Sequence, residues 1–309
     1  MIEQECDNVH YLQFDQYKQF PELIHGIFTR QGGYSQAPFE SLNVSLSSGN
    51  ERYEDAVRNR FRVLQSLDIA HYPCATMWMV HSANVLTLDG DNWVDWSSDW
   101  PHAVYQLDEL GYPEGTRLQW TFKPRTKADA LITRKRGIAL AMSTADCVPI
   151  LFYDPVVEAI GVAHAGWRGT ARGIAATTVS ALHQQFGCDP ANIIAGIGPS
   201  IGPCCYEVSE EVQQLFLGQI AFDEMPTDEA YRELVAESAV FEARRLADRV
   251  SLRLDLWETN RKQLLLAGLL PEHVELPDTC TSCETQRFFS HRAEQGKTGR
   301  FPAILALRN

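Results

Sequence analysis

The sequence predicts an α/β (α+β) fold of one domain, with a largely buried sheet system between helices. Three patterns predict it. Short apolar runs rich in β-branched and aromatic residues recur along the chain, and amphipathic stretches with a period near 3.6 lie between them. No Pro/Gly/Ser linker or internal repeat divides the 309 residues, so the runs belong to one layered core.

Strands are predicted, in order, over residues 23–29, 76–81, 130–133, 138–143, 148–153, 159–164 and 193–197. Most are apolar throughout rather than alternating, the pattern of strands covered on both faces. A helix is predicted over 54–68, where Val57, Phe61, Leu64 and Leu67 share a face. A second covers 170–186, where Ala175, Val179, Leu182 and Phe186 do the same and Gly187 supplies the left-handed stop. A third covers 256–267, closed by Gly268.

Charge narrows the partners. The chain carries 27 Lys+Arg against 40 Asp+Glu, a net charge of −13, a field that repels nucleic-acid phosphates and anionic membranes. The N-terminus has neither the basic segment nor the apolar run of a signal peptide. The most apolar stretch, 137–166, is broken by Asp146, Pro149, Asp154 and Pro155 and cannot span a bilayer. Eight cysteines in this length are read as reduced thiols, which places the chain in the cytoplasm. From Ser82 to Thr116 there is no Lys or Arg, while Asp and Glu accumulate and Trp93, Trp96 and Trp100 fall on one helical face. The expectation is an acidic surface insertion at about 89–116, pinned by its tryptophans.

Two segments carry chemistry: Ser143-Thr144-Ala145-Asp146-Cys147-Val148-Pro149 and Val162-Ala163-His164-Ala165-Gly166-Trp167-Arg168-Gly169. Each puts a metal-competent side chain where an apolar strand meets a turn, and a short connection makes the two strands neighbours. After His164 a glycine-bearing turn opens a helix, whose N–H groups suit an anion, with Arg168 as a planar donor. His81, at the end of Met77-Trp78-Met79-Val80-His81, is a third strand-end candidate. The pattern alone leaves two readings open: a His–Cys–His metal site, or a buried thiol beside two hydrogen-bonded histidines.

These segments resemble the laccase-domain family, also called multicopper polyphenol oxidase-like proteins, purine nucleoside phosphorylases of that type, or peptidoglycan editing factors. The resemblance begins at His25-Gly26-Ile27-Phe28-Thr29-Arg30-Gln31-Gly32-Gly33 and Ser41-Leu42-Asn43, and passes through Met79-Val80-His81 and the two segments above. It ends in Gly198-Pro199-Ser200-Ile201-Gly202-Pro203-Cys204-Cys205-Tyr206-Glu207, Phe288-Phe289-Ser290-His291-Arg292 and Thr298-Gly299-Arg300. It implies mixed sheets sandwiched between helices, related to cysteine-hydrolase toxins, and one zinc held by His81, Cys147 and His164. It also implies phosphate-dependent cleavage of adenosine and inosine, extending to methylthioadenosine or guanosine, with deamination of adenosine. On that reading the substrates are a purine nucleoside and phosphate, Arg30, Arg168 and Arg292 are phosphate candidates, and Asn43 is a candidate for hydrogen bonds to substrate. Two departures stand out: Met79 and Ser82, flanking Val80-His81, replace the family's usual Gln and Gly, and near the end His291-Arg292-Ala293-Glu294 replaces Tyr-Arg-Arg-Asp.

Other chemistries remain to be weighed. Oxidation by several coppers needs about ten histidines with His-x-His pairs; this chain has nine histidines and no such pair, which leaves a single-copper polyphenol oxidase as the only form of that activity. Cys147 as nucleophile with His164 as base would make an amide hydrolase or deamidase acting on peptidoglycan precursors. The zinc-deaminase signature His-x-Glu with Pro-Cys-x-x-Cys is absent. Cys204-Cys205 and Cys280-Thr281-Ser282-Cys283 resemble two halves of a zinc knuckle, but adjacent residues of an extended chain point to opposite sides, so Cys204 and Cys205 are not expected to chelate together.

Overall fold

Side chains that alternate between the two faces of each strand sort the chain into layers. The structure, a computed structural model, describes residues 1–88, 104–221, 229–245 and 249–309, with 122–125 described by their backbone alone. In chain order the first half contains β1 (Ile2–Cys6), β2 (Val9–Gln13), β3 (Leu23–Phe28), α1 (Tyr53–Ser66), β4 (Cys74–Trp78), β5 (Val85–Leu88), β6 (Val104–Gln106), β7 (Arg117–Lys127), β8 (Ala130–Thr133), β9 (Ala139–Thr144) and β10 (Val148–Asp154). The second half contains β11 (Ala159–Ala165), α2 (Trp167–Ala171), α3 (Ile174–Phe186), β12 (Ile194–Ile197), α4 (Glu210–Phe216), α5 (Glu229–Ser238), β13 (Phe241–Arg245), β14 (Val250–Leu254), α6 (Leu256–Leu266), β15 (Val274–Glu275) and β16 (Phe301–Leu307).

Eight strands form one sheet in the order β1-β2-β3-β16-β9-β4-β7-β6. Six form a second, β15-β12-β10-β11-β8-β5, and β13 pairs with β14 apart from both. Along β16, Phe301, Ala303, Leu305 and Leu307 join a core shared with Leu151, Tyr153, Ile160 and Val162 of the second sheet. The intervening Ile304 and Ala306 pack outward with Val57, Phe61 and Leu64 of α1. The opposite face of the second sheet, including Ile150, Phe152 and Ala163, packs on Ala175, Val179 and Leu182 of α3 and Leu264 of α6. The result is helix, sheet, sheet, helix, the mixed α/β sandwich that the sequence predicts. Each fully buried Leu, Ile or Phe contributes about 1.5–3 kcal/mol.

Two expectations are corrected. The strand predicted over 76–81 ends at Trp78, so His81 lies in a loop rather than at a strand end. The helix predicted over 170–186 is two: α2 ends at Ala171, capped by Arg172, and Gly173 turns left-handed at φ 73° before α3 begins, a conformation that suits glycine. The N-terminal hairpin β1–β2 and strand β16 were not predicted. Trp93, Trp96 and Trp100 lie outside the described residues; the described end of that insertion forms β6, an edge strand antiparallel to β7, and a tight turn at Asp108–Leu110. No helix among the described residues is long and apolar enough to cross a membrane.

Candidate metal centre

Three chain crossings build the site. In the eight-stranded sheet β9, β4 and β7 are adjacent, and β4 runs parallel to both neighbours. Their C-terminal ends therefore share one edge, where ligand sites collect in parallel sheets. From each of these ends the chain crosses to the six-stranded sheet: β4 to β5 through His81, β7 to β8 through Asp129, and β9 to β10 through Cys147. Opposite them β10 and β11 form the expected antiparallel pair, with Pro149 facing His164. Alternation along β11 turns His164 to the same side as Val162, the face between the sheets.

The donor atoms of His81, Cys147 and His164 all lie within 4.8 Å of one another. Cys147 Sγ is 3.8 Å from His81 Nε2, and the two imidazole rings meet edge to face at 4.9 Å. Gly166 permits this approach. A β-carbon there would stand 2.8 Å from Cys147 Sγ and 2.9 Å from His81 Cδ2.

Asp129, fully buried, organises both histidines. Its Oδ1 lies 2.9 Å from His164 Nδ1 and accepts the His81 N–H at 3.0 Å. Its Oδ2 accepts the N–H of Val80 and Ser82 and the Ser82 hydroxyl, at 3.1, 2.6 and 2.8 Å. Ser82, one of the departures from the family pattern, thus adds a bond that glycine could not. The same loop holds His81 at φ 62°, a left-handed conformation costing about 1–2 kcal/mol for a residue with a β-carbon. The buried Arg172 also donates to the His81 carbonyl.

These contacts set the electrostatics. Burial opposes ionisation of Cys147, but the charge and hydrogen bond of His164, with those of His81, outweigh it and hold the thiol at about 6. Burial likewise opposes a charged His164, yet the Cys147 thiolate and the Asp129 hydrogen bond raise it to about 10. Burial raises the Asp129 carboxyl, and the His164 and Ser82 bonds more than reverse that, so it remains an anion.

A second ring surrounds this centre. Asp146 (φ 89°) accepts the Thr281 hydroxyl at 2.7 Å and the Arg292 N–H at 2.6 Å. The Arg292 guanidinium lies 5.2 Å from the Tyr206 ring centre. Burial, then the nearby Cys147 charge, keeps the Tyr206 phenol protonated well above its usual range. Arg300 is partly buried, which lowers its pKa, and the charges of Cys147 and Asp146 act on it in the opposite sense.

The four sequence-predicted substrate residues divide. Arg168 is exposed and stacked 4.3 Å over the Trp167 ring, and it acts electrostatically on Tyr206, as Arg292 does. Arg30 instead bridges loops, donating to Glu294 and to the Thr285 carbonyl at 2.9 Å each and to the Glu40 carbonyl at 2.8 Å. Asn43 is fully buried; its Nδ2 binds Glu51 at 2.6 Å, and its Oδ1 accepts the Arg300 N–H at 2.8 Å. It reaches the site through Arg300. Asp129, Arg172, Tyr206 and Arg300 were not singled out from sequence, although Tyr206 and Arg300 stood in the motifs quoted for the family.

The structure corrects the premise that the Cys204 and Cys205 side chains point to opposite sides. Cys204 and Cys205 sit in a turn, where the N–H groups of Cys205 and Tyr206 both donate to the Gly202 carbonyl at 3.0 Å. A turn rotates successive side chains by less than the half-circle of an extended strand, so the two sulfurs converge. Cys204, Cys205, Cys280 and Cys283 lie with their sulfurs all within 4.8 Å of one another.

The profile of the family described as multi-copper polyphenol oxidoreductase laccase matches residues 24–308. This chain belongs to that family. The laccase-family chain is similar to the purine nucleoside phosphorylase YlmD of Geobacillus stearothermophilus, 35% identical over 289 residues that cover 94% of this chain and 92% of that protein. It is also similar to the purine nucleoside phosphorylase of Bacteroides thetaiotaomicron, 32% identical over 94% of this chain and 93% of that one. The crystal structure of YlmD from Geobacillus stearothermophilus superposes with a TM-score of 0.76 at 31% identity, covering 99% of this chain and 98% of that one. The motif-based resemblance is thereby borne out, and the laccase-family chain is an enzyme of that family.

Proposed function

We propose that this chain is a zinc-dependent purine nucleoside phosphorylase that cleaves adenosine and inosine, accepts methylthioadenosine or guanosine, and deaminates adenosine. The observation that carries the reading is the His81, Cys147 and His164 cluster at the sheet crossover, in a chain whose relatives bear the phosphorylase name. The donor set fits zinc: a thiolate and two imidazoles are ordinary zinc ligands, and a carboxylate behind one imidazole is their usual support. Gly166 leaves the space they share open. Three protein ligands leave a further position for water or substrate, and the ion when bound supplies an electron-pair acceptor there.

The chain's own groups do the rest. In phosphorolysis a phosphate oxygen forms a bond to ribose C1′ as the bond from C1′ to the purine nitrogen breaks, and the electron pair leaves with the base. Arg168, Arg292 and Arg300 supply positive charge to hold phosphate beside the centre. Asn43 fixes the backbone of Arg300, and Arg30 braces the segment carrying Arg292 through Glu294. Tyr206, kept protonated, can donate a proton to the departing base. Asp129 holds His164 in one orientation, so the two imidazoles meet Cys147 without rearrangement.

A second reading takes Cys147 as a nucleophile toward amides, with His164 as its acid–base partner. The thiol held at about 6 favours it, because the thiolate is the attacking species. Elemental analysis of chelator-free protein separates the two and also reads copper against zinc. Run with a nucleoside panel with and without phosphate, it should show zinc and phosphate-dependent release of base. Metal-free protein that still hydrolyses amides would favour the second reading.

A further inference from the structure

We propose that Cys204, Cys205, Cys280 and Cys283 hold a second, structural zinc ion, separate from the His81–Cys147–His164 centre. Four thiolates bound tetrahedrally to zinc at about 2.3 Å have sulfur-to-sulfur separations of about 3.8 Å. Here Cys283 Sγ lies 3.5 Å from Cys204 Sγ and 3.4 Å from Cys205 Sγ, and all four sulfurs fall within 4.8 Å. All four are free thiols.

The surroundings are those of a thiolate cluster. Cys280-Thr281-Ser282-Cys283 closes as a tight turn, with the N–H groups of Cys283 and Glu284 donating to the Cys280 carbonyl at 3.1 and 3.0 Å. The Gly202 N–H points at Cys280 Sγ from 3.1 Å, the kind of bond that stabilises metal-bound sulfur. Zinc with four thiolates carries a net negative charge. Two cations stand close by: Arg253 donates to the Cys204 carbonyl, and Arg292 lies 3.4 Å from the Cys205 carbonyl.

An ion here would staple the 202–206 turn to the 280–283 turn. The 280–283 turn already meets the segment leading into the 202–206 turn, through the Thr281 N–H and the Ser200 carbonyl at 3.0 Å. Both reach Asp146, the neighbour of Cys147: Ile201 N–H donates to its carbonyl at 2.9 Å and Thr281 to its carboxylate. The second ion therefore sets the wall containing Tyr206 and Arg292 and takes no part in bond breaking.

The test is zinc stoichiometry on full-length protein purified with reductant and without chelator. About two zinc ions per chain are expected in the wild type. Cys283→Ser, at an exposed position, and Cys147→Ala should each retain about one, and the double variant almost none. In cobalt-substituted protein, intense thiolate-to-metal absorption should survive Cys147→Ala and largely disappear in Cys283→Ser. This comparison separates the sites even if one variant is poorly stable. A single zinc in the wild type that Cys283→Ser leaves in place overturns the proposal. So does a disulfide within the cluster, seen by mass spectrometry as two missing hydrogens in reductant-purified protein.

Discussion

Asp129 Oδ1 stands 2.9 Å from His164 Nδ1 while accepting the His81 N–H at 3.0 Å, so one buried carboxylate fixes a histidine in the β4–β5 crossing and another on β11. His81 contributes through its backbone and His164 through its ring, and Cys147 closes the triangle. Asp129→Ala should lower zinc affinity about 10- to 100-fold, the usual cost of losing a group behind a metal-bound histidine. Competition with a chelator of known affinity measures it, and unchanged affinity would mean that the histidines hold their places without the carboxylate.

Gly166 gives a test that leaves every ligand in place. Its φ of −66° suits any residue, so alanine meets only the steric obstacle at Cys147 Sγ and His81 Cδ2. Gly166→Ala should lose zinc affinity about 10-fold or more while the circular dichroism of the fold stays unchanged. Retention of full zinc would show that the two side chains can part without cost.

Arg168→Ala should raise the phosphate KM about 10- to 150-fold, the equivalent of one charge-assisted hydrogen bond of about 1.5–3 kcal/mol. Because Arg168 is exposed, the melting temperature should barely move. A fall in melting temperature with an unaltered phosphate KM would assign Arg168 to pinning the turn.

Acid should act through His25. Burial holds its pKa down at about 3, and its Nε2 accepts the Phe14 N–H at 2.8 Å, which requires the neutral ring. The unfolded chain takes up that proton near pH 6.5, so stability is full above that value and declines as pH falls toward 3. The decline is about 1.4 kcal/mol per pH unit for this one proton. Urea midpoints at pH 7 and pH 5 should differ less in His25→Gln than in the wild type. Equal differences would place the acid sensitivity elsewhere.

The sequence made the strands and the placing of Cys147 and His164 legible because both rest on local signals, whereas grouping them with His81 as one candidate metal site rested on the family resemblance. Continuous apolar runs mark β9, β10 and β11, and Cys147 and His164 stand at their ends. The pairing of β10 with β11 followed from their short connection. Asp129 gave no such signal. It is a lone carboxylate between Ala128 and Ala130, and only its burial among three crossings gives it a role. A charged residue abutting an apolar strand was the one clue available. The helix predicted over 170–186 broke because Gly173 uses a conformation that apolar periodicity does not register. Cys204 and Cys205 converge because they sit in a turn, which the sequence Pro203-Cys204-Cys205-Tyr206 does not distinguish from an extended segment.

The most direct measurement is chromatography of the products formed from adenosine and inosine by purified protein, with and without phosphate, beside metal-free and Cys147→Ala controls. The account predicts free base and ribose 1-phosphate only with phosphate present, hypoxanthine or inosine where adenosine is deaminated, and loss of turnover in both controls. Undiminished turnover in the controls, or no turnover of any purine nucleoside by the zinc-loaded protein, would contradict it.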